Sequence, residues 1–430
     1  MKRSIVWFKT DLRLHDNETL VQAIQHSDEI LPVYCLDPAD FVVSAEGLYK
    51  TGSHRTEFLL EALQDLDAQL RQLGSGLLLL QGDSLEQLPK LVRQYGVSKV
   101  YAKKEVAPEE KKRTTALEKE LWKSNCPLET FSTSTLYHAV DLPFSIKDIP
   151  DVFTKFRTRL ERDASVRAIF EAPVKIKSPL IPPLSLPSRE QLCPLPLHVD
   201  ERRALSFRGG ETEGLKRLNY YFSESHAISR YKETRNEMIG PDYSSKFSAW
   251  LAIGCLSPRE IYYALKEYEA VSGANESTYW LYFELLWRDY FRFMMKKHRH
   301  KLFLSSGIKE DLTSDSVLQD PELFEHWKEG KTGIEIVDAC MIELKLTGYL
   351  SNRGRQLVAS FFINDLKLDW RLGAQYFEQQ LIDYDVCSNY GNWAYLAGVG
   401  NDPRGKRYFN QEAQSQTYDP KKEFRKLWLN

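Results

Sequence analysis

The chain has 430 residues, 42% hydrophobic and 27% charged, with 58 Lys and Arg against 60 Asp and Glu for a net charge of -2. That length predicts two or three packed domains, the composition excludes a disordered, collagenous or coiled-coil chain, and the balanced charge excludes a globally basic protein, so any basic face must be local. Six cysteines at 35, 126, 193, 255, 340 and 387 lack CxxC spacing, which predicts neither a disulfide framework nor a metal site and places the chain in a reducing compartment, the cytoplasm. Apolar runs fall short of about 18 residues, and MKRSIVWFKTDLRLHD meets charges before a signal core can form, so neither a membrane span nor a secretory leader is expected.

In chain order, residues 4–8 (SIVWF), 30–36 (ILPVYCL), 77–80 (LLLL) and 99–102 (KVYA) are apolar runs of strand length that alternate with amphipathic stretches. After Ser53, Leu59, Leu63, Leu66, Leu70 and Leu73 recur every three or four residues, and Gly74 follows as a helix stop. Residues 1–140 therefore predict an α/β domain built on a doubly wound, Rossmann-like parallel sheet. The first strand leads into WFKTDLRLHDN, not GxGxxG, so the dinucleotide fingerprint is missing while the carboxyl edge of the sheet stays open to a ligand. Residues 141–200 read as an interdomain connector, extended and proline-rich at 172–198, where seven prolines occur. Residues 201–430 carry helical periodicity, as at 258–268 and 278–297, and predict an all-helical domain.

Aromatics make up 12% of the chain, and 14 of them fall between Tyr243 and Phe293. Close by, Ser244, Ser245 and Ser248 precede a helical run, which reads as an N-cap or as a phosphate site. ELLWRDYFRF sets Glu284, Trp287, Arg288 and Phe291 at helical spacing, a pattern shared by a core Trp beside an Arg–carboxylate pair and by a base-stacking wall. GYLSNRGRQ supplies Asn352, Arg353 and Arg355; LIDYDVCSNYGNWAY supplies Asp383, Asp385, Asn389 and Trp393. Arg355 and Asp383 are the expected pair, since an unpaired buried carboxylate is expensive. The basic run Arg292, Lys296, Lys297, His298, Arg299, His300 and Lys301, adjoining so many aromatics, suggests a single-stranded nucleic-acid face.

IVWFKTDLRLHDN, KFSAWLAIGCLSP, ELLWRDYFRF, WKEGKTGIEIVDACM, GYLSNRGRQ and LIDYDVCSNYGNW together resemble the photolyase and cryptochrome family over nearly the whole chain, and NDPRGKRYFNQEAQSQTYDPKKEFRKLWL resembles its DASH branch. The resemblance implies an N-terminal antenna domain and a C-terminal helical domain that binds FAD. It places Tyr231, Ser244, Ser245, Lys246, Phe247 and Ser248 around the FAD phosphates, and Asn352, Arg355, Asp383, Asp385 and Asn389 around the ribityl chain and flavin ring. Glu284, Trp287, Gln356 and Tyr395 then face a DNA lesion, while Arg235 and Arg407 hold DNA phosphates. The implied activity is blue-light repair of cyclobutane pyrimidine dimers, preferentially in single-stranded DNA, with duplex DNA or RNA as further partners and the protein as a monomer. The alternative is a signalling photoreceptor with little or no repair.

Three departures refine this. Tyr395 and Gln356 stand where pyrimidine-dimer photolyases outside the DASH branch have Trp and Met, which predicts a weaker grip on an extruded lesion and favours single strands, where extrusion costs less. Ser351 and Gln356 stand where (6-4) photolyases have His, which argues against that activity. Trp393 and Trp370 match the inner members of the family's electron-transfer chain, the outer one falls at Val317, and Tyr376 is available by spacing as a substitute donor. KEVAPEE resembles the region that contacts a folate antenna, methenyltetrahydrofolate, through Glu109 or Glu110.

Overall fold

The computed structural model describes residues 1–309, 320–402, 405 and 407–430. Five parallel strands, β1 (Arg3–Phe8), β2 (Glu29–Leu36), β3 (Leu78–Gln81), β4 (Lys99–Lys103) and β5 (Leu128–Phe131), form one sheet in the order β3-β2-β1-β4-β5. Strand β3 starts one residue later than its apolar run because the Leu77 amide donates to Asp67 Oδ1 at 2.7 Å instead of joining the ladder. Side chains alternate along a strand, so an apolar run needs cover on both faces. From β1, Ile5 and Trp7 pack with residues of α3 (Ser84–Tyr95) and α4 (Pro108–Trp122), among them Leu88, Val92, Leu117 and Leu121. Val6 and Phe8 pack on the other side with α1 (Glu18–Gln25) and α2 (Ser53–Gln72) through Leu20, Phe58, Leu63, Leu66 and Leu70. The sheet is doubly wound, as expected.

The α1–α2 face of the sheet shares its core with the helical half, since Tyr221, Phe247, Trp250, Leu286 and Tyr290 belong to the same buried cluster. Between the halves lie α5 (Phe153–Asp163) and a mostly extended stretch interrupted by the short α6 (Arg189–Leu192). That stretch straps the α/β half: Ile176 N–H donates to the Leu73 carbonyl at 2.8 Å, and Ile30 N–H to the Lys177 carbonyl at 2.9 Å. Then follow α7 (Glu211–Asn219), α8 (Tyr231–Thr234), α9 (Ser248–Ile253), α10 (Pro258–Ser272), α11 (Glu276–His298), α12 (Pro321–Lys328) and α13 (Glu335–Thr347). The chain closes with α14 (Asn352–Asn364), α15 (Trp370–Gln380), α16 (Val386–Leu396), α17 (Gln411–Tyr418) and α18 (Glu423–Leu429). Among the described residues no strand occurs after β5, and no helix is long and apolar enough to cross a membrane.

Two features of this layout position the sites. The strand order reverses between β1 and β4, which opens a crevice at the carboxyl ends of those strands. Helix α11, started by an Asn275 capping box, runs against α5, α8 and α16, so residues far apart in sequence meet along its length.

Candidate functional site

The polar positions singled out in the helical half converge on a cavity of about 450 Å³ and an adjoining one of about 270 Å³ that shares Ser248, Asn352, Arg355, Gln356, Asp383, Asp385 and Tyr395 with it. The larger cavity is also lined by Tyr231, Arg235, Ser244, Ser245, Lys246, Phe247, Glu284, Trp287 and Arg407. Residues 244–247 lead into α9, whose N-cap Phe247 offers no side-chain acceptor, so the first-turn amides are left for a ligand. Within this loop Lys246 takes a left-handed φ of 62° and is buried, its Nζ without a hydrogen-bond partner and 2.9 Å from the centre of the Tyr243 ring. Burial pushes its ammonium well below the usual range, with Glu343 opposing. A buried amine with no hydrogen-bond acceptor, beside uncapped amides, gains an acceptor and regains its charge when an anionic group binds there, which fits the diphosphate of FAD.

Arg355 donates through Nη2 to both Asp383 oxygens at 3.0 and 2.9 Å and through Nε to the Leu350 carbonyl at 2.8 Å, which compensates a carboxylate that is 8% exposed. Asp385 caps α16 by accepting the Ser388 N–H at 2.8 Å. Burial alone would raise the Asp385 carboxyl, but Arg292 at 3.5 Å and Arg288 outweigh it and hold it below the usual carboxylate range. Helix α16 next carries Asn389, whose Nδ2 donates to the Ala374 carbonyl at 2.9 Å, and the buried Trp393; both line the smaller cavity. Trp393 fits because α15 has Gly373 opposite it, where a Cβ would stand 2.3 Å from the indole. Tyr349, Ser388 and Asn392 also line these cavities and escaped the sequence reading. Asp385, Ser388, Asn389 and Asn392 recur at i, i+3, i+4 and i+7, a polar stripe on one helix face that could have found the last two.

The remaining wall carries the expected lesion contacts. Trp287 stacks on Phe153 of α5 with ring centroids 3.7 Å apart and planes 12° from parallel, and Tyr395 meets it edge-on at 5.9 Å. Glu284 forms an ion pair with Arg235 at 2.7 Å; burial pushes its carboxyl up, and Arg235 opposes that. Arg407 donates through Nε to Asp402 at 2.5 Å and through Nη2 to the Tyr395 hydroxyl.

Several expectations need correction. Arg292 is no surface contact: it is buried, 3.2 Å from Glu105 and 3.5 Å from Asp385, because its place on α11 turns it inward between two carboxylates. Lys297 and His298 are each held by the half-exposed Asp151 at 2.9 Å, so part of the basic run is already committed to a carboxylate at the surface. Tyr376 does not line up behind Trp370. It is buried with its ring 5.6 Å from Trp327, which in turn lies 6.4 Å from Trp393. Trp370 itself packs edge-on to Tyr390 at 6.3 Å and donates from Nε1 to the Ser305 carbonyl at 3.1 Å. Val317 lies outside the described residues.

A separate cavity of about 570 Å³ opens at the carboxyl ends of β1 and β2, where Phe8, Lys9, Tyr34 and Asp37 line it together with Arg55, Glu105, Glu109, Glu110 and Tyr384. Glu109 is exposed and pairs with Lys50. Glu110 differs: burial, with the neighbouring Glu105 charge, pushes its carboxyl up to about 7, and its Oε2 is buried without a partner. Arg55 stacks its guanidinium 4.5 Å over Tyr384 and leaves Nη1 without a partner.

Comparison with known proteins gives consistent results. Residues 4–176 match the DNA photolyase family and residues 280–430 match the FAD binding domain of DNA photolyase. The chain is 47% identical to cryptochrome DASH of Gloeobacter violaceus, over 100% of this chain and 85% of that protein. The crystal structure of a Synechocystis cryptochrome superposes with a TM-score of 0.95 at 46% identity, covering 100% of this chain and 89% of that one. A bacterial class III photolyase from Agrobacterium tumefaciens gives 0.85 at 27% identity, covering 100% and 86%.

Proposed function

The chain belongs to the photolyase and cryptochrome family, in its DASH branch, and from that premise we propose that it splits cyclobutane pyrimidine dimers in single-stranded DNA under blue light. The observation that carries this reading is the shared cavity: the polar group that fits FAD and the Trp287–Glu284–Tyr395 wall line one space of about 450 Å³. FAD, when bound and reduced, supplies the electron that opens the dimer. Everything else falls to the chain. The loop at 244–248, Lys246 and the Arg355–Asp383 pair bind and orient the cofactor, and Asn389, its amide plane fixed by the Ala374 carbonyl, presents its remaining polar atoms to the smaller cavity. Trp287, backed on one face by Phe153, offers a stacking platform worth about 1–3 kcal/mol per base. Glu284 meets the base carbonyls where charge develops. Arg235 and Arg407 meet backbone phosphates. A wall with Tyr395 and Gln356 is polar and open, which suits a lesion already unstacked in a single strand.

A folate antenna, methenyltetrahydrofolate, is the proposed occupant of the 570 Å³ cavity. Support comes from Glu110 and Arg55, which bring an unpartnered acceptor and donor to the same wall.

The test is repair of a dimer-containing oligonucleotide, single-stranded against duplex, after photoreduction under blue light. The parent should repair the single strand faster, and Trp287→Ala and Glu284→Ala should lose repair while keeping FAD. Absence of repair by the parent, or undiminished repair by both variants, would overturn the reading.

A further inference from the structure

Arg235 and Glu284 are both expected substrate contacts, yet without substrate they are committed to each other at 2.7 Å. The other groups facing Glu284 are the Tyr231 hydroxyl of α8 and, on its own helix, the Trp280 indole. Neighbouring charges have partners of their own: Lys232 pairs with Glu276 at 2.7 Å, Glu233 accepts from Ser277 at 2.9 Å, Arg353 donates to Asn236 and Gln414 at 3.2 Å, and Arg407 binds Asp402. Arg235 is therefore the cation that compensates Glu284, and its side chain is 18% exposed in the cavity wall. A guanidinium that turns its fork to a phosphate cannot keep the same N–H groups on the carboxylate.

We propose that Arg235 is a phosphate-operated catch on Glu284: a nucleic-acid phosphate drawn to the guanidinium releases the carboxylate, which takes a proton from solvent and becomes a neutral hydrogen-bond donor in the cavity wall. The inference rests on the nucleic-acid reading above. Its physical basis is that burial already pushes the Glu284 carboxyl up and Arg235 is what opposes this. Loss of that cation and arrival of a phosphate charge act in the same direction, toward protonation. An ionised carboxylate accepts hydrogen bonds and cannot donate one; the acid has an O–H to give to a base carbonyl. One O–H bond forms on Glu284 as the bond holding that proton to a hydronium ion or a protonated buffer molecule breaks, and no bond between heavy atoms changes. Arg235 is thus a positioning residue, acting on substrate through Glu284 as well as on the phosphate.

Calorimetric titration of the FAD-loaded protein with an undamaged oligothymidylate of about six nucleotides, in two buffers of different ionisation enthalpy at about pH 7, counts protons taken up on binding. Uptake of up to about one proton per strand is expected, together with a new infrared band of a protonated carboxyl. Glu284→Gln should still bind and show neither signal. Arg235→Gln should bind more weakly and take up fewer protons, because without the opposing guanidinium a larger share of Glu284 is protonated before the strand arrives. Uptake undiminished in both variants, or binding by the parent with no uptake, overturns the catch. Failure of the parent to bind the strand at any salt concentration overturns the nucleic-acid reading itself, and the catch with it.

Discussion

Glu343 sits beside Lys246, 2% exposed, with one carboxyl oxygen unpartnered and its carboxyl pushed up by burial to about 8 against the opposing pull of Lys246 and Arg355. Replacing it with Gln keeps the shape and removes the titration. The sign follows from linkage. A carboxyl whose folded value lies above its unfolded value favours folding most at low pH, and that contribution is lost as pH rises from the ordinary Glu range toward about 8. Relative to Glu343→Gln, the parent should therefore lose stability with rising pH by about 1.4 kcal/mol per pH unit between about pH 6 and pH 7. With an unfolding entropy of about 2.1 cal/mol/K per residue, a chain of 430 residues whose halves share one core has about 0.9 kcal/mol/K, so the gap in melting temperature should shift by about 1.5 °C per pH unit. Differential scanning fluorimetry of parent and variant at several pH values reads this directly. Glu110, Glu260 and Asp289, which burial also raises to about 7, titrate in both proteins and cancel in the difference. A melting-temperature gap that stays constant from about pH 5.5 to pH 8 would refute the assignment of a neutral Glu343.

Three further outcomes are expected. Gly373→Ala puts a Cβ 2.3 Å from the buried Trp393 indole, so it should cost about 1–3 kcal/mol and alter tryptophan fluorescence; an unchanged melting temperature would show that α15 and α16 are not packed this closely. Arg355→Leu leaves Asp383 buried without its cation, at a cost of about 3–5 kcal/mol, and should lower FAD content per chain, read from flavin absorbance after heat release. Tyr376→Phe removes only the hydroxyl, which makes a long bond to the Lys328 carbonyl, 3.4 Å, and meets the Gln380 side chain, so its fold should be intact while thiol-driven photoreduction slows through the Trp393–Trp327–Tyr376 contacts; an unchanged photoreduction rate would exclude this tyrosine as a donor.

What could be read from the chain was local, and what could not was the result of long loops closing. The strands, the α2 repeat and the polar positions of α14 and α16 announce themselves within windows of a dozen residues, because side-chain period and unpartnered polarity are local properties. Arg292 misled because a run of bases looks like a surface until its period is counted: Glu284, Arg288 and Arg292 lie four apart on one face of α11, which turns Arg292 inward, and its partner Glu105 is 187 residues away. The stack of Phe153 under Trp287 joins the connector to the helical half in the same way. Tyr376 shows the converse error. Six residues on a helix turn a side chain through about 600°, so it points well away from Trp370 and finds Trp327. The Glu284–Arg235 pair combines both limits: each residue could be picked out alone, but that they hold each other follows from α8 packing on α11, a contact with no mark in either segment. On the reading proposed above, a substrate is met by groups that already bind one another, and its arrival changes the charge state of the site.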